Sequence, residues 1–142
     1  MLLDARSISD GETLTADLCI VGAGAAGITL AMELLATGLN IIVLEAGGKS
    51  KAGPSQGLYQ GELNDPVRHL PLDQARYRQL GGTTSLWGGR CIPFDSLDFD
   101  QREWISHSGW PFPQKEIDGY YRRAHSYCEC GEYDYRVSTA LP

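Results

Sequence analysis

Ile20-Val21-Gly22-Ala23-Gly24-Ala25-Ala26-Gly27 is the stretch on which the fold turns. It has the Gly-x-Gly-x-x-Gly spacing, and each glycine does something a side chain would obstruct. Gly22 permits a tight turn out of a strand, Gly24 lets the backbone approach a pyrophosphate, and Gly27 lets a helix pack closely on that strand. Spacing alone is a weak signal, because 17 glycines in 142 residues exceed the average of about 7% and generate chance matches. The flanks decide the matter.

Upstream, Ala16, Leu18, Cys19, Ile20 and Val21 form a nearly continuous apolar run, suited to a parallel strand covered on both faces. Downstream, Ile28, Met32 and Leu35 recur at helical spacing, with Leu30, Ala31 and Leu34 widening the apolar face. Gly38 is placed to stop the helix, and Ile41-Ile42-Val43-Leu44 gives a second buried strand. The pattern predicts a βαβ unit over residues 16–47, close to the roughly thirty residues such a unit takes.

Glu45 ends the second strand, roughly twenty residues after the glycines, where a carboxylate can accept hydrogen bonds from both hydroxyls of an adenosine ribose. A 2′-phosphate would meet the like charge of Glu45, and no Arg or Lys stands immediately beside it. FAD or NAD is therefore preferred over NADP. Taken singly, the glycines describe a plain turn and Glu45 a solvated strand end. Strand, helix, strand and acid in register favour a nucleotide cradle.

Composition narrows the function classes. With 42% hydrophobic residues the chain has material for one domain's core, so it reads as globular. A formal charge of −6, with 12 basic residues scattered along the chain, argues against a nucleic-acid partner. The start, Met1-Leu2-Leu3-Asp4-Ala5-Arg6, lacks a basic and apolar leader, and no apolar run reaches the roughly eighteen residues of a membrane span; a soluble cytoplasmic protein is expected. Cys19 reads as a small strand residue, and Cys128 and Cys130 stand too close together and with too few companions for a metal site. No metal ligand set is expected.

Past Glu45 the character changes. Residues 48–80 carry Gly53-Pro54, Gly57, Gly61, Asn64-Asp65-Pro66 and Leu70-Pro71, the punctuation of a long loop with turns. A doubly wound sheet needs several parallel strands, yet only two are evident, with a possible further start at Tyr135-Arg136-Val137-Ser138. The expectation is an α/β chain carrying the N-terminal portion of a Rossmann-like domain, its sheet incomplete and its remainder on a longer protein. Arg68, Arg76, Arg78 and Arg90 bracket the loop glycines, and each suits a solvated position as well as a phosphate contact. His69, His107 and His125 lie far apart without a nucleophile or acid at a telling interval, so no residue is offered as catalytic.

A second glycine-rich stretch, Leu80-Gly81-Gly82-Thr83-Thr84-Ser85-Leu86-Trp87-Gly88-Gly89-Arg90, flanks three hydroxyl residues and a tryptophan with glycine pairs. Freed backbone N–H groups can form an anion-binding concavity, hydroxyls donate to phosphate, and Trp87 suits a flat ring system. A cofactor with both a pyrophosphate and a large ring would use all of it, although a tight turn around a buried tryptophan explains the composition equally well. Residues 48–95 thus read as a cofactor loop ending in this motif, and residues 98–130 as short helices. Asp100 and Glu103 make a capping box for a helix with Trp104 and Ile105. After Trp110-Pro111-Phe112-Pro113, the residues Ile117, Tyr120, Tyr121, Ala124 and Tyr127 form a helical packing stripe.

These motifs together resemble the glucose-methanol-choline oxidoreductases, in their bacterial branch of FAD-dependent sugar and alcohol dehydrogenases. The resemblance rests on the first motif with Leu44-Glu45-Ala46-Gly47, on residues 80–89, and on Ser108-Gly109-Trp110-Pro111 followed by the Tyr120-Tyr121 helix. It implies FAD taking hydride at N5 from a C–H bond of a small alcohol or sugar while a base removes the hydroxyl proton. Gly22, Gly24, Ala25, Ala26 and Gly27 would face the pyrophosphate, Glu45 and Ala46 the ribose, and Gly82, Thr83, Thr84, Trp87, Gly88 and Gly89 the pyrophosphate and flavin edge. Some relatives attach flavin through a histidine just before the motif's tryptophan; Leu86 stands there, so noncovalent FAD is implied. The family's catalytic histidine and substrate pocket lie near the C-terminus of a much longer chain, and no residue here matches them. The substrate domain would therefore be elsewhere, along with whatever selects the electron acceptor. Two other readings are a noncatalytic nucleotide-binding fragment or subunit that needs a partner chain, and an NAD-dependent dehydrogenase.

Overall fold

The structure is a computed structural model that describes residues 1–51 and 53–140. The chain divides into two compact units, Met1–Trp87 and Gly88–Pro142.

The first unit is built on the predicted strand, helix and strand. Strand β1 (Leu18–Val21) and strand β2 (Ile41–Leu44) pair in parallel, with Leu18 opposite Ile41 and Val21 opposite Leu44. The Gly22 N–H extends the ladder by donating to the Leu44 carbonyl at 2.7 Å. At the other end, the Asp17 N–H donates to the Asn40 carbonyl at 2.9 Å, and the Asn40 N–H returns a bond to the Asp17 carboxylate at 2.8 Å. This reciprocal pair fixes the register where the strands begin.

Between the strands, helix α1 (Ala25–Glu33) continues through Leu34 into a tighter turn over Leu35–Thr37. Gly38 ends it at φ 77°, a left-handed conformation that glycine adopts without a Cβ clash. Ile20 and Ala23 are the buried apolar residues of this unit among those described. The outer faces are open: Val21 is 83% exposed and Leu35 69% exposed. Parallel strands with apolar side chains on both faces are ordinarily covered on both sides, so this pattern marks surfaces fit for further packing.

The long loop is ordered by short helices and one buried side chain. Helix α2 (Gly53–Gly57) and helix α3 (Leu72–Ala75) punctuate it. The Gln56 carboxamide is buried and donates to the carbonyls of Asp73 and Arg76, both at 2.6 Å, while accepting from the Arg78 N–H at 3.0 Å. One amide thus holds three backbone groups that a loop would otherwise leave to solvent.

The second unit packs rings rather than strands. Helix α4 (Ser96–Phe99) is capped by Asp95, with Asp98 closing a capping box. This corrects the box expected at Asp100 and Glu103. The reciprocal side-chain bonds form five residues earlier, and residues 101–108 are turns in which Ser108 Oγ accepts from the Arg102 N–H at 2.8 Å and donates to its carbonyl at 3.0 Å. Phe99 is buried among Phe94, Trp110 and Phe112, at centroid distances of 6.3, 6.5 and 6.3 Å. Helix α5 (Asp118–Cys128) carries only part of the expected packing stripe, with Tyr121 and Ala124 half-buried and Tyr127 exposed. Its Tyr121 stacks on Tyr133 at 6.2 Å, while Tyr120 remains 60% exposed.

The possible strand at Tyr135–Ser138 is instead the start of helix α6 (Val137–Ala140). The Asp134 carboxylate accepts from the Arg136 N–H at 3.0 Å and from its guanidinium, which turns the chain before a strand can run. Among the described residues the sheet therefore has two strands.

Candidate functional site

Gly22 leaves β1 at φ 98°, a conformation that side chains rarely adopt, so the turn into α1 depends on glycine. A Cβ at Gly27 would overlap the Gly22 carbonyl, which is the close helix–strand packing the spacing implied. A Cβ at Gly24 would meet nothing within 4 Å. Gly24 thus opens space outside the fold instead of relieving a clash within it. It also begins α1 with no side-chain cap, so the N–H groups of Ala25, Ala26 and Gly27 stand at an uncapped helix start. Such a start favours an anion by both hydrogen bonding and dipole.

Glu45 sits directly against this turn. One carboxylate oxygen accepts from the Ala23 N–H at 2.9 Å and the other from the Gly47 N–H at 2.8 Å. Both bonds hold the carboxylate at the C-terminal edge of the strands, and each oxygen retains a second lone pair for a further donor.

The second glycine-rich stretch meets the first. The Gly81 N–H donates to the Ala23 carbonyl at 2.8 Å, and a Cβ at Gly82 would come within 3.4 Å of the Gly24 Cα. Leu80 donates to the Gly48 carbonyl at 2.9 Å, and a Cβ at Gly47 would overlap the Arg78 carbonyl. Segments distant in sequence are therefore brought to one place, and glycine is required where their backbones cross.

Here Val21, Gly22, Leu44, Glu45, Ala46, Tyr59 and Arg78 line a cleft of about 330 Å³. Arg78 stacks its guanidinium on Tyr59 at 5.3 Å, and its buried Nε has no hydrogen-bond partner. The cleft thus brings an unpartnered cationic donor and the Glu45 carboxylate to one place beside the Gly22 turn.

Residues 17–138 match the family described as FAD dependent oxidoreductase. The chain belongs to that family. Among its relatives, an oxygen-dependent choline dehydrogenase of Sinorhizobium medicae is 33% identical over 127 residues, covering 78% of this chain and 23% of the relative. The enzyme of the same name from Photobacterium profundum is 32% identical over 142 residues, covering 86% and 24%. A 6'''-hydroxyparomomycin C oxidase of Streptomyces lividus is 28% identical over 121 residues, covering 74% and 21%. The chain spans about a quarter of the length of these relatives. The choline dehydrogenase names agree with the glucose-methanol-choline resemblance. No solved structure matches.

FAD fits the residues present. The open space at Gly24, the uncapped start of α1, Glu45 and the unpartnered Arg78 Nε supply room for a pyrophosphate, N–H donors, a ribose acceptor and a cation. The hydroxyl residues are more committed than the sequence implied. Thr84 donates to the Gly81 carbonyl at 2.5 Å, Thr83 Oγ1 accepts from the Tyr77 N–H at 3.3 Å, and Ser85 Oγ accepts from Gln79 at 2.7 Å. They brace a tight turn over Gly82–Ser85, leaving Thr83 and Ser85 with a proton still to donate. Trp87 closes the first unit at 51% exposure, and Gly88 and Gly89 open the second.

Sequence reasoning passed over Gln56, Tyr59 and the orphaned state of Arg78, because none sits in a motif. The cysteine reading also changes. Cys91, remote in sequence, joins Cys128 and Cys130, and the three sulfurs lie within 4.8 Å of one another. His125 is buried, with Nδ1 3.2 Å from the Gly131 carbonyl and Nε2 2.8 Å from the Tyr135 hydroxyl. Among the described residues no helix is long and apolar enough to cross a membrane.

Proposed function

We propose that this chain is the FAD-binding portion of an oxidoreductase acting on the CH–OH group of a small alcohol or sugar, with its substrate domain on further polypeptide. The observation that carries the reading is the meeting of the two glycine-rich segments, Gly81 on Ala23 and Gly82 against Gly24, beside Glu45. Gly22, Gly24, Ala25, Ala26 and Gly27 present the turn and helix start to the pyrophosphate, with Arg78 as a nearby cation. Glu45 and Ala46 take the adenosine ribose, where the carboxylate accepts from its hydroxyls while keeping its bonds to Ala23 and Gly47. Gly82, Thr83, Thr84, Trp87, Gly88 and Gly89 line the pyrophosphate and flavin edge.

Bound FAD supplies the two-electron acceptor. The residues named here hold and orient it, and the group that takes the hydroxyl proton belongs to the substrate domain. With Leu86 before the tryptophan, the flavin is held without a covalent bond. A hydroxyl-bearing small molecule as substrate is supported by the relatives' names, which cite choline and hydroxyparomomycin C. The open faces of β1 and α1 suit the packing of that further polypeptide.

The test is the visible spectrum of the full-length protein. A flavin spectrum, with all of the flavin released on denaturation, is expected, and its anaerobic bleaching by members of an alcohol and sugar panel would identify the substrate class. A colourless protein that takes up no added FAD, or that binds a nicotinamide nucleotide instead, overturns the reading.

A further inference from the structure

We propose that Cys91, Cys128 and Cys130 form a binding site for one thiophilic metal ion of the Zn(II) class. The three Sγ atoms lie within 4.8 Å of one another. A zinc–sulfur bond of about 2.3 Å places the sulfurs of one tetrahedral ion about 3.8 Å apart, so small side-chain adjustments close the set. Soft thiolates select such ions over magnesium or calcium.

The backbone delivers the ligands from two segments of the second unit. Cys91 lies on the loop that precedes α4, and Cys128 is the last residue of α5. Between Cys128 and Cys130 stands Glu129 at φ 52°, a left-handed conformation uncommon for a residue with a Cβ. The N–H groups of Glu129 and Cys130 both turn back to the His125 carbonyl, which closes the helix end and swings Cys130 round beside Cys128. His125 is not a fourth ligand, because both its ring nitrogens are engaged by Gly131 and Tyr135. Cys128 and Cys130 are exposed, so the fourth position falls to water.

A hydrogen bond with Cys130 raises the Cys91 pKa, and burial followed by the Cys91 charge raises that of Cys128. Binding breaks three S–H bonds, forms three metal–sulfur bonds and releases three protons to solvent, with no change of oxidation state. The unit has reason to gain from such a staple. Among its described residues Phe99 is the buried apolar side chain, and small units with little core are commonly stabilised by metals or disulfides.

The experiment uses the full-length protein, reduced and stripped of metal, titrated with Co(II) and then Zn(II). The expected result is a thiolate-to-cobalt charge-transfer band that saturates at one ion per chain and is displaced by Zn(II). In Cys91→Ser the affinity should fall by at least about tenfold, since even outer partners of a metal site commonly contribute that much, whereas Cys19→Ser should bind as the parent does. Alkylation of the unmutated protein gives a readout independent of variant folding: Zn(II) should protect Cys91, Cys128 and Cys130 together. Absence of the band at saturating Co(II), unchanged affinity in Cys91→Ser, or equal alkylation with and without Zn(II) overturns the proposal.

Discussion

The two units of this chain differ in which device they lean on most. The unit Met1–Trp87 is defined by side chains it lacks: Gly22 turns at φ 98°, Gly27 lets α1 lie on the Gly22 carbonyl, and Gly47 lets the Arg78 backbone pass. The unit Gly88–Pro142 relies more on side chains it has, with Phe99 among rings and His125 between Gly131 and Tyr135, beside one glycine, Gly109, that must stay bare against the Gln101 backbone. A site built from absent side chains tolerates no added atoms. One built from present side chains tolerates no removed ones, and substitutions should separate the two in that way.

The largest effect is expected from Gly27→Ala. Its Cβ overlaps a backbone carbonyl, so α1 must shift. Overpacking of this kind costs about 1–3 kcal/mol, which corresponds to roughly a 5- to 150-fold loss in FAD affinity where the shift falls on the flavin site. Flavin retained after gel filtration, together with the melting temperature, measures it, and both should fall.

Gly24→Ala sharpens the contrast, because its Cβ meets nothing and Gly24 already sits at φ −84°. The melting temperature of flavin-free protein should stay unchanged while flavin retention drops by about tenfold, roughly 1.4 kcal/mol. Unchanged retention would mean that no pyrophosphate approaches there. Glu45→Gln keeps one acceptor oxygen for the two N–H donors of Ala23 and Gly47, so one bond loses its charge and the other is lost against the amide NH2. Charge-assisted bonds contribute about 1.5–3 kcal/mol, against about 0.5–1.5 for neutral ones, so a loss of order tenfold in FAD affinity is expected in an equilibrium titration.

In the second unit, His125→Phe keeps an aromatic ring and deletes both polar contacts. Leaving the Gly131 carbonyl and Tyr135 hydroxyl without their partner should lower unfolding stability by about 1–3 kcal/mol in denaturant titration. Flavin content should be unaffected, because the partners His125 holds, Gly131 and Tyr135, are not among the residues assigned to the flavin.

The smallest effect concerns a device the two units share. Asp4 with Arg6, and Asp134 with Arg136, form the same Asp-x-Arg clasp, each with a guanidinium–carboxylate contact of 2.6 Å. Hydrogen bonds from Arg6 hold the Asp4 pKa down to about 2, and those from Arg136 hold Asp134 well below the usual carboxylate range. A lowered folded-state pKa means a contribution present above the ordinary carboxylate value and lost as pH falls toward the lowered one. Both clasps are solvent-facing, so solvent and salt screen them. Asp4→Asn and Asp134→Asn should each leave the melting temperature at pH 7 nearly unchanged, with any difference from the parent vanishing at acid pH.

Legibility followed the same division. The βαβ unit was readable because its signals are local: an apolar run, a helical period, and glycines at a fixed spacing before and after. The Gly38 stop and helix α5 are readable for that reason as well, although Tyr120 and Tyr127 of the expected packing stripe face outward. The capping box lies five residues before the expected one because Asp95, Asp98, Asp100 and Glu103 offer competing pairs in sequence, and the helix forms after Asp95. The strand start at Tyr135 was a reading of β-forming residues that the Asp134–Arg136 clasp overrides.

Sequence by itself determined the strand, glycine turn, helix and strand that end at Glu45, since backbone conformation at glycines and an acid at a strand end follow from local sterics and spacing. Tertiary structure decided what surrounds them. Gly81 reaches Ala23, Gln56 gathers a loop, Arg78 arrives beside Glu45 with an unpartnered Nε, and Cys91 joins Cys128 and Cys130. None of these has a fixed interval in sequence. Each depends on how long segments close on one another, which is settled by the sum of backbone hydrogen bonds and packing along the path.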